Sequence, residues 1–146
     1  MAMKNVRLLF GTFVFVLGIQ VSIARADTAL TTVRVASGMD RPLFATAPPG
    51  DTTRLFILGE GGVVTILNLE TGTLNPVPFL DITDRVDSTE ARDEGTGGMA
   101  FDPDYANIGY FYVTYFRDIG GNFSSVVSRF SRITADTADP DSEQIL

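Results

Sequence analysis

The sequence contains no cysteine and no histidine, and Lys4 is its only lysine. Without cysteine, the chain has neither disulfide bonds nor a thiolate metal site. Without histidine, it has no imidazole general base, no Ser-His-Asp triad and no histidine-ligated zinc or iron. Any chemistry carried by these 146 residues therefore uses carboxylates, arginines and hydroxyl groups.

Residues 1–26 have the composition of a secretory signal peptide. Basic Lys4 and Arg7 come first, and a largely apolar run follows at 8–23. Ala-Arg-Ala at 24–26 then supplies small residues at the two positions that a signal peptidase reads. A membrane anchor is the alternative, but the run is shorter than the roughly 20 residues that span a bilayer.

We therefore predict cleavage before Asp27, export to the periplasm or the extracellular space, and no membrane association after cleavage. The domain organisation is then a signal peptide at 1–26 and one domain at 27–146. The mature region has 8 arginines against 18 acidic residues, a net charge of −10. Nucleic acids and anionic lipids bind positively charged surfaces, so neither is expected as a partner. The oligomeric state does not follow from the sequence.

Two stretches of the mature region repeat each other at an offset of 55 residues. Ala45 corresponds to Ala100, Pro48 to Pro103, and Phe56 to Phe111. Farther on, a longer hairpin loop at 118–123 raises the predicted offset to about 63, which places 63–65 on 126–128. Repeats of this length are typical of stacked β units such as propeller blades. Coincidence between generic strands is the alternative.

The apolar pattern predicts an all-β fold. Short runs bounded by turn residues are typical of strands, and four antiparallel strands form one propeller blade. We predict about two four-stranded antiparallel blades of an incomplete β-propeller, because two blades cannot close a ring. The predicted strands are 32–35, 43–47, 54–58, 63–68 and 78–82, then 98–101, 110–116, 124–133 and the start of one at 144–146, with a polar turn at 134–143.

Five phrases in order resemble the N-terminal part of the glucose/sorbosone dehydrogenase family, the soluble quinoprotein sugar dehydrogenases. They occupy 35–43, 48–56, 61–67, 78–83 and 99–105, and the resemblance covers 33–146. It implies a six-bladed β-propeller that binds pyrroloquinoline quinone (PQQ) and often calcium. It also implies a sugar substrate, whose hydroxyl is oxidised by hydride transfer to the quinone.

The resemblance places the catalytic base outside these residues. In the family, the base is a histidine in an Asn-His-Asn-Gly-Gly-like stretch soon after a phrase that resembles 139–146. We therefore expect these residues to form an N-terminal fragment that is inactive by itself. No catalytic, cofactor-binding or metal-binding residue is assigned within it, so PQQ and calcium are implied only for a full-length protein.

The resemblance implies two candidate sugar-binding residues, Asp93 and Glu94. The family's acidic or amide side chain near the sugar falls on Asp93, and a carboxylate there can accept a hydrogen bond from a sugar hydroxyl. An acidic surface turn is the alternative. The chain also departs from the family's Gly-Glu-x-Gly-Leu-Leu-Gly phrase, because Thr96 and Gly97 replace the two leucines.

Two further functions remain open. Propellers also serve as extracellular recognition modules, since a fold does not determine a function. A truncated product with no function of its own is the other alternative. The four tyrosines, Tyr105, Tyr110, Tyr112 and Tyr115, are expected to pack within strands rather than to stack on sugars.

The predicted signal peptide at 1–26 gives the first testable prediction. When the full chain is exported from cells, the mature protein is expected to begin at Asp27, because the small residues before it fit a signal peptidase. Intact-mass measurement of the exported protein checks this. A product that still carries residues 1–26 would contradict the prediction.

Overall fold

The computed structural model describes residues 30–87 and 95–146. The predicted signal peptide at 1–26 lies outside the described residues. Within the described ranges, no helix is long and apolar enough to cross a membrane. Val33–Leu146 forms one compact unit, which consists of two antiparallel sheets.

The first sheet is a meander of short strands. Its strands are β1 (Pro42–Thr46), β2 (Arg54–Gly59), β3 (Val63–Asn68) and β4 (Thr73–Leu74), in that spatial order, and β5 (Leu80–Asp81) also pairs with β3. The predicted outer strand at 78–82 is thus confirmed only at Leu80–Asp81. Pro76 and Pro78 have no amide N–H to donate, which explains why the outer strand is divided into β4 and β5.

The second sheet has the same order and longer strands. It contains β6 (Thr96–Phe101), β7 (Tyr110–Ile119), β8 (Asn122–Arg132) and β9 (Ala138–Ile145). A short helix, α1 (Tyr105–Ile108), connects β6 to β7. The predictions of an all-β fold and of two antiparallel sheets are therefore confirmed for the described residues, with four strands in the second sheet and five in the first.

The sheet registers confirm the 55-residue repeat. Ala45 lies opposite Ile57 across β1 and β2, and Ala100 lies opposite Tyr112 across β6 and β7. Both sheets also have a register shift in the first strand, after Pro42 in one and after Thr96 in the other.

The offset between the third strands of the two sheets, β3 and β8, is 64 residues rather than the predicted value of about 63. Ile57 faces Thr65 in the first sheet, and Tyr112 faces Arg129 in the second. The predicted loop at 118–123 is only a two-residue turn, Gly120-Gly121, in which both residues have positive φ. Such a turn suits the right-handed twist of a hairpin, and its length fixes the register of β7 against β8.

Two other predictions were wrong. Residues 32–35 form no strand, and Val33 and Val35 are largely exposed. The predicted polar turn at 134–143 is mostly strand β9. Its carboxylates and Pro140 suit an edge strand, where an exposed edge is protected by charge and by proline. The Ser142 hydroxyl accepts a hydrogen bond from the Ser131 amide where the register of β9 shifts.

Aromatic rings fill the space between the sheets. Phe56 of β2 makes edge-to-face contacts with Phe79 and with Phe101 of β6, at centroid distances of 4.8 and 5.0 Å. Phe79 also contacts Phe111 of β7 at 5.1 Å, and Phe111 stacks on Phe130 of β8. The core is thus shared by both sheets, which makes each sheet depend on the other for burial.

The backbone of Phe79 joins the sheets as well. Its N–H donates to the Val64 carbonyl of β3 at 2.7 Å, and its own carbonyl accepts from the Ala138 N–H of β9 at 2.7 Å. The opposite face of each sheet is less well covered. Leu43 and Val127 are exposed at 53% and 41%.

The shared core gives the second prediction. Phe56 is fully buried and contacts two other rings, so Phe56→Ala is expected to lower the free energy of unfolding by about 3–5 kcal/mol. Urea unfolding followed by circular dichroism measures this. Leu69→Ala at a half-exposed turn is the matched control, expected within about 0.5 kcal/mol of wild type. Equal effects of the two substitutions would contradict a core centred on Phe56.

Candidate functional site

Three connections lie at the same end of the sheets, which we call the upper end. Because antiparallel strands alternate in direction, the β2–β3 turn, the segment after β5 and the β7–β8 hairpin all occur there. The predicted sugar-binding residues, Asp93 and Glu94, fall on the β5–β6 connection. They lie outside the described residues, so the structure neither places them nor brings them together.

The residues on either side of this connection are held by one residue of β7. The Asp87 N–H donates to the Phe116 carbonyl at 2.8 Å, and the Phe116 N–H donates to the Gly95 carbonyl at 2.8 Å. The chain thus leaves the first sheet and enters the second next to Phe116. Asp87 and Gly95 are thereby fixed at the upper end.

Gly95 and Thr96 are anchored to the β2–β3 turn as well. The Thr96 N–H donates to the Glu60 carbonyl at 2.9 Å, and its hydroxyl donates to the Gly59 carbonyl at 3.0 Å. Gly95 has φ of 131°, and a Cβ atom there would lie 2.6 Å from the Glu60 carbonyl oxygen. Only glycine fits this position, because a side chain would clash with backbone.

The structure accommodates the departure from the family's leucine pair. Thr96 is buried, and its polar atoms have partners in the β2–β3 turn. A Cβ atom on Gly97 would lie 2.7 Å from the Thr114 hydroxyl oxygen, so a larger residue at 97 would displace Thr114. Polar contacts and a close backbone approach thus occupy the positions at which the family has leucines.

A half-buried carboxylate, Glu143 of β9, gathers four side chains. Its Oε1 accepts from the Tyr115 hydroxyl, in a very short contact, and from the Ser128 hydroxyl at 2.7 Å. Its Oε2 accepts from Arg85 Nη1 at 3.1 Å and from Arg117 Nη1 at 3.5 Å. These bonds connect the segment after β5 to three strands of the second sheet.

The contacts keep Glu143 ionised. Burial by itself would raise the pKa of Glu143, but the hydrogen bonds from Tyr115, Ser128 and Arg85 outweigh burial and lower that pKa. Conversely, burial and the bond to Glu143 raise the pKa of Tyr115, so this hydroxyl remains a donor. The cluster is therefore a carboxylate with donors on both oxygens.

Arg85 has a full set of acceptors. It donates to both carboxylate oxygens of Asp84 at 3.0 and 3.2 Å, to the Pro140 carbonyl at 2.8 Å and to Glu143. Asp84 and Glu143 together raise the pKa of Arg85. This guanidinium is occupied by the protein and cannot also hold a ligand without losing one of these bonds.

An open cleft of 280 Å³ lies beside the cluster at the upper end. The walls of the cleft are the segment after β5 and the end of β7 that leads into the β7–β8 turn. The described lining residues are Asp84, Arg85, Val86, Asp87, Arg117 and Asp118. Within the described chain, the Asp87 carboxylate makes no hydrogen bond or ion pair.

The described residues do not fit PQQ. This quinone carries carboxylates that require cations, whereas the cleft has three carboxylates and two arginines, one of them already occupied by the protein. Metal chemistry is not supported either, because no group of three or more candidate ligands occurs in the described part of the chain. We assign neither group to these residues.

The tyrosines pack as the sequence predicts, except that Tyr105 lies in α1 rather than in a strand. Tyr105 and Tyr115 are buried, while Tyr110 and Tyr112 are half-buried on the far face of the second sheet. The Tyr112 hydroxyl donates to Asp102 at 3.0 Å, and Arg129 lies over the Tyr110 ring at 4.3 Å. None of the four offers an open ring face in the cleft.

The cluster around Glu143 was missed from the sequence. Glu143 lies in a stretch that predicts a turn, and its partners come from positions 15 to 58 residues away in the chain. Pro140 and the carboxylates interrupt the alternation of apolar and polar residues along 138–145, so the sequence predicts only the start of a strand at 144–146. The only usable signal was the apolar Ile145 and Leu146 after an acidic run.

Comparison with solved structures confirms the predicted resemblance at the level of fold. The PQQ-bound aldose sugar dehydrogenase of Streptomyces coelicolor superposes with a TM-score of 0.56 at 20% identity, over 76% of this chain and 29% of that protein. A glucose dehydrogenase gives 0.58 at 20% identity over 74% and 32%. The soluble aldose sugar dehydrogenase of Escherichia coli gives 0.56 at 18% identity over 73% and 29%.

Sequence comparison finds a different relative. Hedgehog-interacting protein is 41% identical in Mus musculus and 40% identical in Homo sapiens, over 83 residues or 56% of this chain. No family model matches the sequence. The chain spans 12% of the length of these relatives and about 30% of the solved dehydrogenases.

The Glu143 cluster gives the third prediction. Since the folded-state pKa of Glu143 is lowered, its ionised form stabilises the fold above the unfolded-state pKa, and this contribution is lost as pH falls through the folded-state value. Glu143→Gln should therefore lose less stability than wild type as the pH falls below the ordinary glutamate pKa of 4.5. Urea unfolding at a series of pH values measures the difference.

The control is Glu70→Gln, at an exposed turn on the opposite end of the sheets. Its stability should keep the wild-type pH dependence. If Glu143→Gln also keeps it, the cluster contributes nothing to acid sensitivity and the prediction is wrong.

Proposed function

We propose that this chain supplies the opening two blades of an exported six-bladed β-propeller that oxidises sugars with PQQ. The observation that supports it is the superposition of both sheets on three sugar dehydrogenases, at TM-scores of 0.56 to 0.58. The family phrases in the sequence and the 55-residue repeat agree with that fold.

The proposed site lies at the upper end of the sheets. Asp93 and Glu94 belong to the connection whose neighbouring residues, Asp87 and Gly95, are both bonded to Phe116. We assign Asp93 to accept a hydrogen bond from a sugar hydroxyl, which orients the sugar, and Glu94 to a second such contact. The described residues anchor the chain on both sides of this connection, through the bonds of Asp87 and Gly95 to Phe116.

PQQ, when bound, would supply the oxidising equivalent for the sugar. The described residues offer no set of free cations for its carboxylates, so its binding is assigned to no residue of these two blades. Calcium is likewise assigned to none of them. The two blades by themselves are therefore proposed to be inactive in sugar oxidation.

A recognition module is the second candidate. It is favoured by one observation, the 41% identity to Hedgehog-interacting protein, which is about twice the identity to any of the three dehydrogenases. In this case the same propeller architecture would bind a partner outside the cell and carry out no redox step.

The fourth prediction separates these candidates. The coding DNA is read beyond codon 146, and the whole product is loaded with PQQ and calcium and assayed for aldose oxidation with a dye acceptor. We expect dye reduction that requires an aldose. Absence of reduction with every aldose tested would favour the recognition module.

Asp93→Ala is expected to lower kcat/KM for the aldose about 10- to 100-fold, the typical loss of a hydrogen bond to a charged group. Glu70→Gln, at the opposite end of the sheets, is the control and should keep wild-type kinetics. If Asp93→Ala and wild type have equal kinetics, Asp93 does not belong to the sugar site. That result would leave the proposed oxidation unaffected.

A further inference from the structure

We propose that Asn122 is an acceptor for an N-linked glycan when the chain is exported through a compartment that contains an oligosaccharyltransferase. Asn122, Phe123 and Ser124 form the Asn-x-Ser/Thr triplet that this enzyme reads, with no proline in the middle position. The other four asparagines of the sequence lie outside such a triplet. In requiring export the proposal rests on the proposed function, but it is independent of sugar oxidation.

Asn122 lies at the tip of the β7–β8 hairpin, where an attached group would meet solvent. It is exposed, begins β8 and pairs with Ile119, which is 46% exposed. A Cβ atom on Gly120 or Gly121 would meet nothing within 4 Å apart from its neighbours in the chain. A bulky, hydrated glycan on Asn122 therefore enters open space and does not displace any part of the fold.

The side chain of Asn122 does not hold the hairpin turn. The turn is formed by Gly120 and Gly121, which both have positive φ, and the Gly121 N–H donates to the Asp118 carboxylate at 2.5 Å. In residues 30–87 and 95–146, the Asn122 side-chain amide makes no hydrogen bond. The nitrogen that would carry the glycan is therefore not needed for the fold.

Two other asparagines have structural roles at their turns. The Asn68 side chain accepts from the N–H groups of Glu70 and Thr71 at 2.9 and 3.0 Å, the usual function of asparagine in a turn. The Asn107 amide donates to the Asp104 carboxylate at 2.5 Å. Asn122 thus differs from both in its unbonded amide as well as in its triplet.

Ser124 supplies the hydroxyl group that the triplet requires. It lies two residues after Asn122 on β8, so the two side chains are on the same face of the strand. The Ser124 hydroxyl donates to the Asn122 carbonyl at 3.3 Å. This contact spans only two residues, so it does not depend on the rest of the sheet.

The proposed transfer forms one C–N bond and breaks one C–O bond. The Asn122 amide nitrogen attacks the anomeric carbon of an oligosaccharide that is carried on a polyprenyl pyrophosphate. The pyrophosphate leaves with the bonding electron pair, and the amide nitrogen loses one proton to a base of the transferase. The reaction therefore needs no oxidant or reductant.

Intact-mass measurement of the full chain, secreted by a eukaryotic host, tests the proposal. The mass is recorded before and after treatment with peptide-N-glycosidase F, and we expect treatment to remove the mass of one glycan. This enzyme converts the glycosylated asparagine to aspartate, so peptide mapping should find aspartate at position 122. A secreted product with the mass of the bare polypeptide before treatment would overturn the proposal.

Substitutions within the triplet locate the glycan. Asn122→Gln removes the acceptor and Ser124→Ala removes the hydroxyl group, so both variants should be secreted with the mass of the bare polypeptide. Ser124→Thr keeps a hydroxyl group and should keep the glycan. Ser125→Ala, at the neighbouring serine outside the triplet, is the matched control and should keep it as well. A glycan that persists in Asn122→Gln or Ser124→Ala would overturn the assignment to Asn122.

The experiment separates this proposal from the others. If the leader at 1–26 does not export the chain, a leader of established activity placed before Asp27 allows the same masses to be measured. The measurement needs neither PQQ nor a dye. A glycan on Asn122 without aldose oxidation would support this proposal and contradict the dehydrogenase function, and aldose oxidation by a protein without the glycan would do the reverse.

Discussion

Phe79 provides the contact on which the rest of the structure depends. Its ring lies between Phe56 of the first sheet and Phe111 of the second, and its backbone bonds to both sheets. Each sheet has too little apolar surface of its own to form a core, because a single meander buries only one face. The two sheets therefore hold together as one body through this aromatic layer, and the positions of the upper-end loops follow from it.

That packing brings together the side chains of the cleft. Arg85 follows β5 in the first sheet, whereas Glu143 lies on the last strand of the second, and they meet only because the sheets stack. Glu143 is ionised at neutral pH because donors surround both of its oxygens. The cluster fixes Arg85, holds Arg117 by a longer contact to Glu143 and lies beside Asp87, which gives the cleft its mixed polar character. Arg85 is thus held rigid by its protein contacts, while the neighbouring Asp87 lines the open cleft.

The relationship to sugar dehydrogenases is one of fold, and the function depends on side chains that the fold does not determine. Thr96 and Gly97 illustrate the difference. They stand where the family has a leucine pair, and in this chain Thr96 bonds to the Gly59 carbonyl while Gly97 approaches Thr114. A superposition alone therefore cannot separate an oxidising enzyme from a recognition module.

The sequence by itself determined most strand positions from 43 to 133, apart from β4 and the bounds of β5, together with the 55-residue repeat and the exclusion of histidine and cysteine chemistry. Alternating apolar residues and turn-forming glycines and prolines are local signals, so these features needed no knowledge of distant contacts. Strand β9 and the Glu143 cluster were decided only by the tertiary structure. A proline-containing acidic segment becomes a strand when an edge is available to pair with, and the Glu143 carboxylate gathers its four donors only when β7, β8 and β9 pair and Arg85 of the segment after β5 packs against them.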